Sequence, residues 1–406
     1  MRAFSLTTIF LLCGLIFAVD LLAFYGLQSV MQLVKSEGIK ILINILFWSF
    51  TVGLILSILI LKIRIDDINP IRKQAWIASF YGLAVLSFIP KLIFVFIISI
   101  GYFAHAVFPQ TQLVQSLPWV GLAAGFLPFF VILYGIFKTL YRFKVYHHSW
   151  KFKNLPQAFN GIRIVQLSDI HLGSFNYRYH ILDRAVLKIN HLNPDFIFIT
   201  GDIINNFSWE LKGWEPVFKK LNAKKAKIAV LGNHDYGDYS KWNTIEQKQA
   251  NFEALKSFYK EVGVNLLLNQ SLSITQNNET IALIGIENWG KYPFKNYARL
   301  EQALQPVNNI PFKILLSHDP THWEKEIVKK TDIALMLSGH THGMQAAFQF
   351  RNLKWSPIKY KYKHWAGKYQ KGEQLLYVNR GLGWLGFPGR IGVRPEITCI
   401  ELTADS

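Results

Sequence analysis

Four apolar stretches in the first third of the chain each have the length of a membrane-spanning helix. They cover residues 6–27, 41–61, 76–103 and 119–137. About 20 helical residues are enough to cross the hydrocarbon core of a bilayer. The first stretch does not have the pattern of a cleavable signal peptide, because its apolar part is too long, Asp20 interrupts it and no small-residue cleavage site follows. The sequence therefore predicts a four-helix transmembrane region over residues 1–140.

The distribution of Lys and Arg between the short loops predicts which side faces the cytoplasm. The loop after the third span, 104–118, has neither residue, whereas the second loop and the exit of the fourth span are basic. The basic residues there are Lys62, Arg64, Arg72, Lys73, Lys138, Arg142, Lys144, Lys151 and Lys153. An even number of spans then places the N-terminus, with Arg2, on the same side. We expect a multi-pass membrane protein with its C-terminal part in the cytoplasm.

Two charged residues lie inside the predicted spans, where an unpaired charge is costly. Asp20 is in the first span and Lys91 is in the third. These two spans run in the same direction, so both side chains lie roughly 22 Å from the cytoplasmic end at about 1.5 Å per residue. An ion pair between them would explain both charges. The alternative is that Lys91, which follows the helix-disturbing Pro90, extends on its own to the outer interface.

The net charge of +18 is divided between two unlike halves of the chain. Residues 1–150 have 11 Lys and Arg against 4 Asp and Glu, and residues 151–406 have 33 against 22. A basic surface suits an anionic membrane face or a phosphorylated substrate, and the charge alone is also compatible with nucleic acid. The two cysteines, Cys13 and Cys399, are too few for a disulfide framework or a thiolate metal site.

From about Gly161 the pattern changes to short β-branched or aromatic runs that end in polar residues. The runs and their endings are Ile162–Leu167 with Asp169 and His171, Phe196–Thr200 with Gly201 and Asp202, Ile228–Leu231 with Gly232, Asn233, His234 and Asp235, Lys313–Leu316 with His318, and Ile333–Leu337 with Gly339, His340 and His342. Each run has the length and composition of a buried strand. The endings are therefore expected at the carboxyl ends of strands, where α/β domains bind their ligands.

Helical patterns over 179–191 and 245–262 lie between these runs, and 266–287 has the pattern of a β-hairpin. The alternation predicts a layered α/β domain over residues 161–406. The residues before it, 141–160, are predicted to form a basic juxtamembrane linker.

Each polar ending has an ordinary explanation by itself. Asp-x-His after a strand is most often loop chemistry, Asn-His-Asp can form a turn or a helix cap, and a His-x-His pair can be fortuitous. Five such endings in order through one α/β domain are not explained in this way. Imidazole, carboxylate and amide side chains gathered at one sheet edge instead predict a metal site.

The ordered set resembles the calcineurin-like metallophosphoesterase superfamily, whose pattern is Asp-x-His, Gly-Asp, Gly-Asn-His-Asp/Glu, a later His and Gly-His-x-His. The resemblance covers about Gly161 to Leu402, and no ligand position is substituted. Segments 379–383 and 394–397 are further similar to the bacterial membrane-associated, YkuE-like branch. The resemblance implies a four-layer α/β sandwich of two facing sheets flanked by helices.

The resemblance also implies two divalent metal ions, Mn, Fe or Zn, which clamp a phosphoester and activate a water to attack phosphorus in line. The implied ligands of one ion are Asp169, His171 and His342. Those of the other are Asn233, His318 and His340, and Asp202 is implied to be a ligand of both. His234 is expected to be catalytic, by neutralising charge or protonating the leaving oxygen. Asp235 is expected to orient the His234 ring.

A basic and aromatic stretch, residues 351–371, directly follows the His340 and His342 motif. Its members are Arg351, Lys354, Trp355, Lys359, Tyr360, Lys361, Tyr362, Lys363, Trp365, Lys368, Tyr369 and Lys371. No Asp or Glu occurs from Ile333 to Gly372. One interpretation is a surface that faces anionic lipid headgroups, with aromatic side chains at the interface. The other is a solvated strand face with ordinary cross-strand aromatic pairs.

These features predict a membrane-anchored, metal-dependent phosphoric ester hydrolase. The expected reaction is hydrolysis of a phosphodiester or pyrophosphate bond in a lipid-linked or nucleotide-linked substrate such as UDP-diacylglucosamine, and the expected partners are the lipid bilayer and that substrate. One alternative is a membrane-tethered phosphodiesterase or nuclease for soluble nucleotides or nucleic acid, although nucleic acid is not the expected partner. Another is a non-catalytic membrane signalling module, against which His234 argues, because a site that only binds a ligand needs no acid beside its metals.

Overall fold

The computed structural model describes residues 5–32, 34–65, 68–108, 112–176, 178–350 and 353–405. Arg2 and Arg351, two basic residues used in the sequence analysis, lie outside this described part. The chain divides into two units. The membrane unit comprises residues 2–137 with 386–389, and the α/β unit comprises residues 138–385 with 390–406.

The described part of the membrane unit contains four helices that are long and apolar enough to cross a membrane, as the sequence predicts. They are α1 (Leu6–Met31), α2 (Glu37–Arg64), α3 (Pro70–Val107) and α4 (Gln112–Phe137). Each is longer than its predicted apolar span, because helical hydrogen bonding continues into the flanking residues. Ser5 and Ser36 cap the first two helices, where their hydroxyls accept hydrogen bonds from the N–H groups of Thr8 and Ile39.

Asp20 and Lys91 form the predicted ion pair inside the membrane unit, with Lys91 Nζ 2.8 Å from Asp20 Oδ2. The Asp20 side chain is 1% exposed and the Lys91 side chain is 18% exposed. The Thr51 hydroxyl of α2 donates a hydrogen bond to the same carboxylate oxygen. The Phe47 ring centroid lies 4.5 Å from Lys91 Nζ. One carboxylate therefore joins α1, α2 and α3. The structure shows the ion pair and not a Lys91 that extends alone to the interface.

The α/β unit contains four α-helices and fourteen strands among its described residues. The helices are α5 (Tyr179–His191), α6 (Glu215–Lys219), α7 (Ile245–Glu261) and α8 (Leu300–Leu304). The strands are β1 (Lys144–Phe152), β2 (Ile162–Leu167), β3 (Phe196–Thr200), β4 (Ala226–Val230), β5 (Asn265–Leu266), β6 (Gln270–Gln276), β7 (Glu279–Gly285), β8 (Lys313–Leu316), β9 (Leu335–Ser338), β10 (Phe348–Phe350), β11 (Leu353–Trp355), β12 (Gly367–Lys371), β13 (Gln374–Val378) and β14 (Glu396–Ala404).

Two six-stranded sheets form the body of this unit, in the orders β1-β14-β2-β3-β4-β5 and β12-β13-β9-β8-β7-β6. Strands β2, β3 and β4 are parallel neighbours, as are β7, β8, β9 and β13. Parallel neighbours end at the same edge of a sheet, so the polar residues that follow them gather there. The predicted hairpin over 266–287 is formed by β6 and β7, paired from Gln270 with Gly285 to Gln276 with Glu279.

The sheets face each other and helices cover their outer sides, which is the four-layer sandwich that the resemblance implies. Successive residues of a strand point to opposite faces. In β3, Phe196 and Phe198 pack into the core between the sheets. Ile197 and Ile199 pack on the other side, in a core that includes side chains of α5, α6 and α7. A third core, with Met336 of β9, lies against α8.

The segment predicted to be a basic linker, 141–160, instead contains a strand of the first sheet, β1. Strand β1 pairs in parallel with β14 from Lys144 with Glu396 to Phe152 with Ala404. Trp150 and Phe152 are buried in the core between the sheets. The structure corrects the linker prediction for a physical reason: β1 is an edge strand, and the basic residues that such strands often have at exposed positions look like a membrane flank in sequence.

Candidate metal centre

The structure brings together all nine predicted site residues at the carboxyl ends of five strands. Asp169 and His171 follow β2, Asp202 follows β3, and Asn233, His234 and Asp235 follow β4. His318 follows β8, and His340 and His342 follow β9. The two sheets thus supply the site jointly, because their parallel strands end at adjacent edges.

Asp169, His171 and His342 form a first group, whose candidate donor atoms all lie within 4.8 Å of one another. His171 Nε2 lies 3.2 Å from His342 Nε2, and His342 Nε2 lies 3.2 Å from Asp169 Oδ1. All three residues are buried. These atoms therefore point at one common position.

Asp202, His318 and His340 form a second group with the same spacing. His318 Nε2 lies 3.1 Å from Asp202 Oδ2 and 3.2 Å from His340 Nδ1. Asn233 Oδ1 joins the group, 2.7 Å from His340 Nδ1. Asp202 Oδ2 also lies 3.8 Å from His171 Nε2 of the first group. The Asp202 carboxylate therefore lies between the two groups, where a shared ligand belongs.

The chemistry of the donor set fits two cations. In each group, nitrogens of two imidazole rings face each other at hydrogen-bond distance, beside oxygen donors. A metal ion satisfies such a set better than one shared proton does. The Nδ1 atoms of His171 and His342 are buried without hydrogen-bond partners among the described residues. Burial lowers the pKa of His171 to about 3 and that of His340 to about 4, so both rings are neutral at pH 7 and have lone pairs for a metal.

Five of the predicted metal ligands have a left-handed backbone, which is uncommon outside glycine. Their φ angles are 50° at Asp169, 50° at His171, 56° at Asp202, 73° at His340 and 52° at His342. Such conformations cost energy, and they cluster at functional sites. Here they turn the chain sharply after each strand and aim neighbouring side chains at the same position.

Glycines of the motifs allow the loops to approach one another closely. A Cβ at Gly339 would lie 1.9 Å from Ser168 Oγ and 2.3 Å from Asp169 Oδ2. A Cβ at Gly232 would lie 2.2 Å from Asp202 Oδ1. A side chain at either position would displace a candidate ligand, which explains why each Gly precedes its polar residues.

His234 lies beside the first group, with its ring 5.2 Å from that of His171 between centroids. Its Nδ1 lies 2.7 Å from the carbonyl oxygen of Asn205. This contact places the ring proton on Nδ1, which donates a hydrogen bond to the Asn205 carbonyl. Nε2 is then available for proton exchange. Burial lowers the pKa of His234. Asn205 is a site residue that the sequence analysis missed, because a backbone carbonyl in a loop has no signature in side-chain motifs.

Asp235 does not orient the His234 ring, which corrects the role predicted for it. Its carboxylate accepts hydrogen bonds from the N–H groups of Asp202 and Gly232, both at 2.8 Å, and of Ile203 at 2.9 Å. Asp235 therefore fastens the loop after β3 to the loop after β4. It holds the backbone of Asp202 directly and that of Asn233 through the preceding Gly232, whereas the ring of His234 is held by the Asn205 carbonyl.

Three further side chains support the ligands from behind. The Tyr362 hydroxyl lies 2.8 Å from His340 Nε2, and the buried carboxylate of Asp319 lies 3.9 Å from the same nitrogen. The amide of Asn233 donates a hydrogen bond to the Tyr239 hydroxyl at 2.9 Å. Outer contacts of this kind fix the orientation of metal ligands. Tyr362 belongs to the basic and aromatic stretch, but only the fold brings it to His340.

The C-terminal segments singled out by resemblance also adjoin the first group. A Cβ at Gly381 would lie 3.0 Å from Asp169 Cβ and 3.1 Å from His342 Nδ1. Arg390 is fully buried, and its guanidinium donates hydrogen bonds to the carbonyls of Arg380, Gly381 and Gly383. Arg380 in turn pairs with Glu396 at 2.6 Å. These contacts hold the loop 380–383 against the candidate centre.

Comparisons with known proteins identify the same family that the motifs resemble. The family of calcineurin-like phosphoesterases matches residues 162–344, and a family described as the probable transmembrane domain of calcineurin-like phosphoesterases matches residues 2–140. The metallophosphoesterase YkuE of Bacillus subtilis is 34% identical over 262 residues, which cover 63% of this chain and 84% of that protein. The phosphodiesterase YaeI of Escherichia coli is 30% identical over 242 residues, which cover 59% of this chain and 82% of that protein.

A transmembrane protein with a metallophosphoesterase domain from Danio rerio is 31% identical over 280 residues, which cover 66% of this chain. The match spans 60% of the length of that relative. Four long apolar helices precede the matched α/β fold in this chain, and the motif residues meet in one site. The chain belongs to the calcineurin-like metallophosphoesterases, as a membrane-associated member.

Proposed function

We propose that this metal-dependent phosphoesterase hydrolyses a phosphodiester or pyrophosphate bond in a lipid-linked or nucleotide-linked substrate at the cytoplasmic face of a bacterial inner membrane. The observation that carries the proposal is the convergence of two ligand groups on the carboxylate of Asp202. A phosphodiester class is supported by YaeI, a relative named as a phosphodiesterase. The four spans support a substrate that is itself held in the bilayer, and UDP-diacylglucosamine is our candidate.

Two divalent ions, Mn, Fe or Zn, suit the imidazole, carboxylate and amide donors of the site. The first ion would be held by Asp169, His171 and His342. The second would be held by Asn233, His318 and His340. Asp202 would be a ligand of both. Bound there, such ions would neutralise charge on a phosphoester and would lower the pKa of a water molecule, which makes that water a better nucleophile toward phosphorus.

His234 supplies the proton chemistry in this proposal. With Nδ1 fixed on the Asn205 carbonyl, its Nε2 can carry a proton to the leaving oxygen or donate a hydrogen bond to a phosphoryl oxygen. Burial lowers the pKa of this ring in the free enzyme. The negative charge of a bound phosphoester acts in the opposite direction and favours the protonated ring.

Aromatic side chains surround the second group and favour a substrate with a planar or apolar portion. Phe294 stands edge-on to the His340 ring, with centroids 5.0 Å apart, and Tyr362 does so at 5.3 Å. Tyr239 packs on His234 at 4.7 Å. The exposed Lys361 has its Nζ 5.6 Å from the Phe294 ring. Since nucleobases stack on such rings, these contacts also favour the second candidate, a membrane-tethered phosphodiesterase for soluble nucleotides.

The test is a substrate panel on the full chain in lipid nanodiscs. The protein is stripped with a chelator, reloaded with Mn, Fe or Zn, and given a nucleotide-linked glycolipid, a lipid diphosphate, a soluble dinucleotide and bis(p-nitrophenyl) phosphate. Products are separated by mass spectrometry, and Asp202→Asn is the inactive control. We expect metal-restored hydrolysis with the highest kcat/KM on a lipid-linked substrate. A preference for the soluble dinucleotide would support the second candidate, and no hydrolysis with any metal would overturn both.

A further inference from the structure

The β10–β11 hairpin presents an apolar face to solvent. Phe348 pairs with Trp355 across the two strands, and Gln349 pairs with Lys354. Residues directly opposite one another lie on the same face, and the faces alternate along each strand. Phe348, Leu353 and Trp355 therefore share one face, where they are 54%, 62% and 40% exposed. A cluster of this kind on a short hairpin marks an interaction surface more often than isolated apolar residues do.

The opposite face of the hairpin fixes it to the α/β unit. Lys354 Nζ lies 4.5 Å from the centroid of the buried Trp365 ring. Immediately after the hairpin, the Ser356 hydroxyl donates a hydrogen bond to the Gly343 carbonyl at 2.9 Å. The hairpin cannot turn its apolar face inward without breaking these contacts. Its outward face is therefore a fixed feature of the fold.

The segment that follows the hairpin is cationic and exposed. Lys359 and Lys361 are exposed, and Tyr360 between them is 78% exposed. The chain has no Asp or Glu from Ile333 to Gly372. A nearby acid, Glu324, is occupied by Lys363 at 2.7 Å and Lys371 at 3.1 Å. Exposed Trp, Tyr and Leu next to uncompensated Lys is the pattern of surfaces that bind the interface of anionic membranes.

We propose that the outward face of the β10–β11 hairpin docks on the surface of an anionic bilayer. Lipid is the expected occupant because the four spans hold the same chain at a membrane, which keeps the local concentration of headgroups high. The apolar side chains would enter the headgroup region, and Lys359 and Lys361 would contact its phosphates. This docking does not depend on which substrate the centre hydrolyses.

Docking would also orient the candidate centre. The Thr341 hydroxyl, between His340 and His342, donates a hydrogen bond to the Trp365 carbonyl at 2.6 Å. Trp365 packs under Lys354 of the hairpin, and Ser356 bonds to Gly343. The hairpin and the His340–His342 loop are thus parts of one hydrogen-bonded assembly. A bilayer that fixes the hairpin fixes the height of the centre above the lipid.

The experiment places a bimane fluorophore on a cysteine at position 353 of the full chain in nanodiscs. Both native cysteines, Cys13 and Cys399, are buried, so Leu353→Cys is labelled selectively. Quenching by spin-labelled lipid is compared between phosphatidylglycerol and phosphatidylcholine discs. Ile245→Cys, at an 83% exposed position on α7, is the matched control. Turnover of bis(p-nitrophenyl) phosphate shows that each labelled protein is folded.

We expect lipid quenching at position 353 in phosphatidylglycerol discs, little at 245, and a decrease at 353 with added salt. Lys359→Gln in the 353-labelled protein should lower the docking equilibrium constant about fivefold, from about 1 kcal/mol per basic residue near an anionic surface. Equal quenching at both positions would overturn the proposal, as would quenching at 353 that is unchanged in phosphatidylcholine. Protection of position 353 in cells without quenching in discs would assign the face to a protein partner and would also overturn it.

Discussion

Removing one charge of the Asp20–Lys91 pair should destabilise the membrane unit more than removing both. At the 2.8 Å separation, the gross attraction is about 6 kcal/mol for an effective dielectric constant of about 20. Most of this attraction offsets the cost of dehydrating two buried ions. A single substitution leaves the partner as an uncompensated buried charge, which costs about 3–5 kcal/mol.

The structure predicts an asymmetry between the two single substitutions. Lys91→Met leaves the carboxylate of Asp20, 1% exposed, with only the Thr51 hydroxyl as donor, so the full cost of about 3–5 kcal/mol applies. Asp20→Asn keeps an amide oxygen that can accept hydrogen bonds from Thr51 and Lys91, and Lys91 still lies 4.5 Å from the Phe47 ring. The expected loss of stability is therefore smaller, about 1–3 kcal/mol. The double variant should return to within about 1 kcal/mol of wild type, because both charges are absent.

The assay is unfolding of the full chain by sodium dodecyl sulfate in mixed micelles, followed by tryptophan fluorescence. A double-mutant cycle then gives the coupling energy, which we expect to exceed about 2 kcal/mol. The more exposed pair Glu37–Lys40, at 2.7 Å, is the matched control, and its cycle should give less than about 1 kcal/mol. Single losses at Asp20 and Lys91 that add within about 0.5 kcal/mol would refute the reasoning.

The remaining predictions concern the centre and the orientation. Asp202→Asn should lose metal by mass spectrometry and lower activity by more than ~10², because even outer supports of a ligand contribute ~10–100-fold; wild-type turnover with two retained metals would remove the assignment. His234→Ala should keep both metals while lowering turnover by ~10²–10⁴, less for nitrophenolate leaving groups that need no proton; loss of metal would make His234 a ligand instead. Burial lowers the pKa of His318, but the carboxylates of Asp202 and Asp169 and the Thr200 carbonyl together more than offset this and raise the pKa to about 10 in the metal-free protein, so a metal must displace a proton there. Metal affinity should accordingly rise with pH up to about 10, with about one proton released per protein at pH 7 by calorimetry in buffers of different ionisation enthalpy; metal uptake with no proton release would contradict this. A reporter fused after Ser406 should work only as a cytoplasmic reporter, and a periplasm-active fusion would reverse the orientation.

Much of the centre could be predicted from sequence because its residues lie in short motifs at strand ends. The strand run Ile162–Leu167 and the helix Tyr179–His191 were predicted with the bounds that the structure shows. Period and composition suffice for such elements, since buried strands and amphipathic helices have local signatures. The pair Asp20–Lys91 was also predictable, because two charges at one depth of a bilayer have few other partners.

What sequence reasoning missed depends on contacts between distant parts of the chain. The sequence pattern predicts a linker at strand β1 because its partner, β14, follows the whole intervening domain. The role of Asp235 was misassigned because its neighbours in sequence do not reveal that its acceptors face the backbone of Asp202 and Ile203. Tyr362 reaches His340 only through the path of the chain between them. Backbone partners and long-range packing leave no pattern in a single sequence.

The position of β14 has a consequence for how this protein is made. β14 lies between β1 and β2 in the first sheet, yet the ribosome synthesises it after every other strand described here. Until then β1, which leaves the membrane unit first, has no hydrogen-bonding partner, and the inner edge of β2 is open as well. Nascent chains would therefore carry two unpaired strand edges beside the membrane throughout translation, a state that invites chaperone binding or aggregation. Truncations that remove residues 396–404 should abolish folding of the whole sheet, although they leave every candidate metal ligand in place.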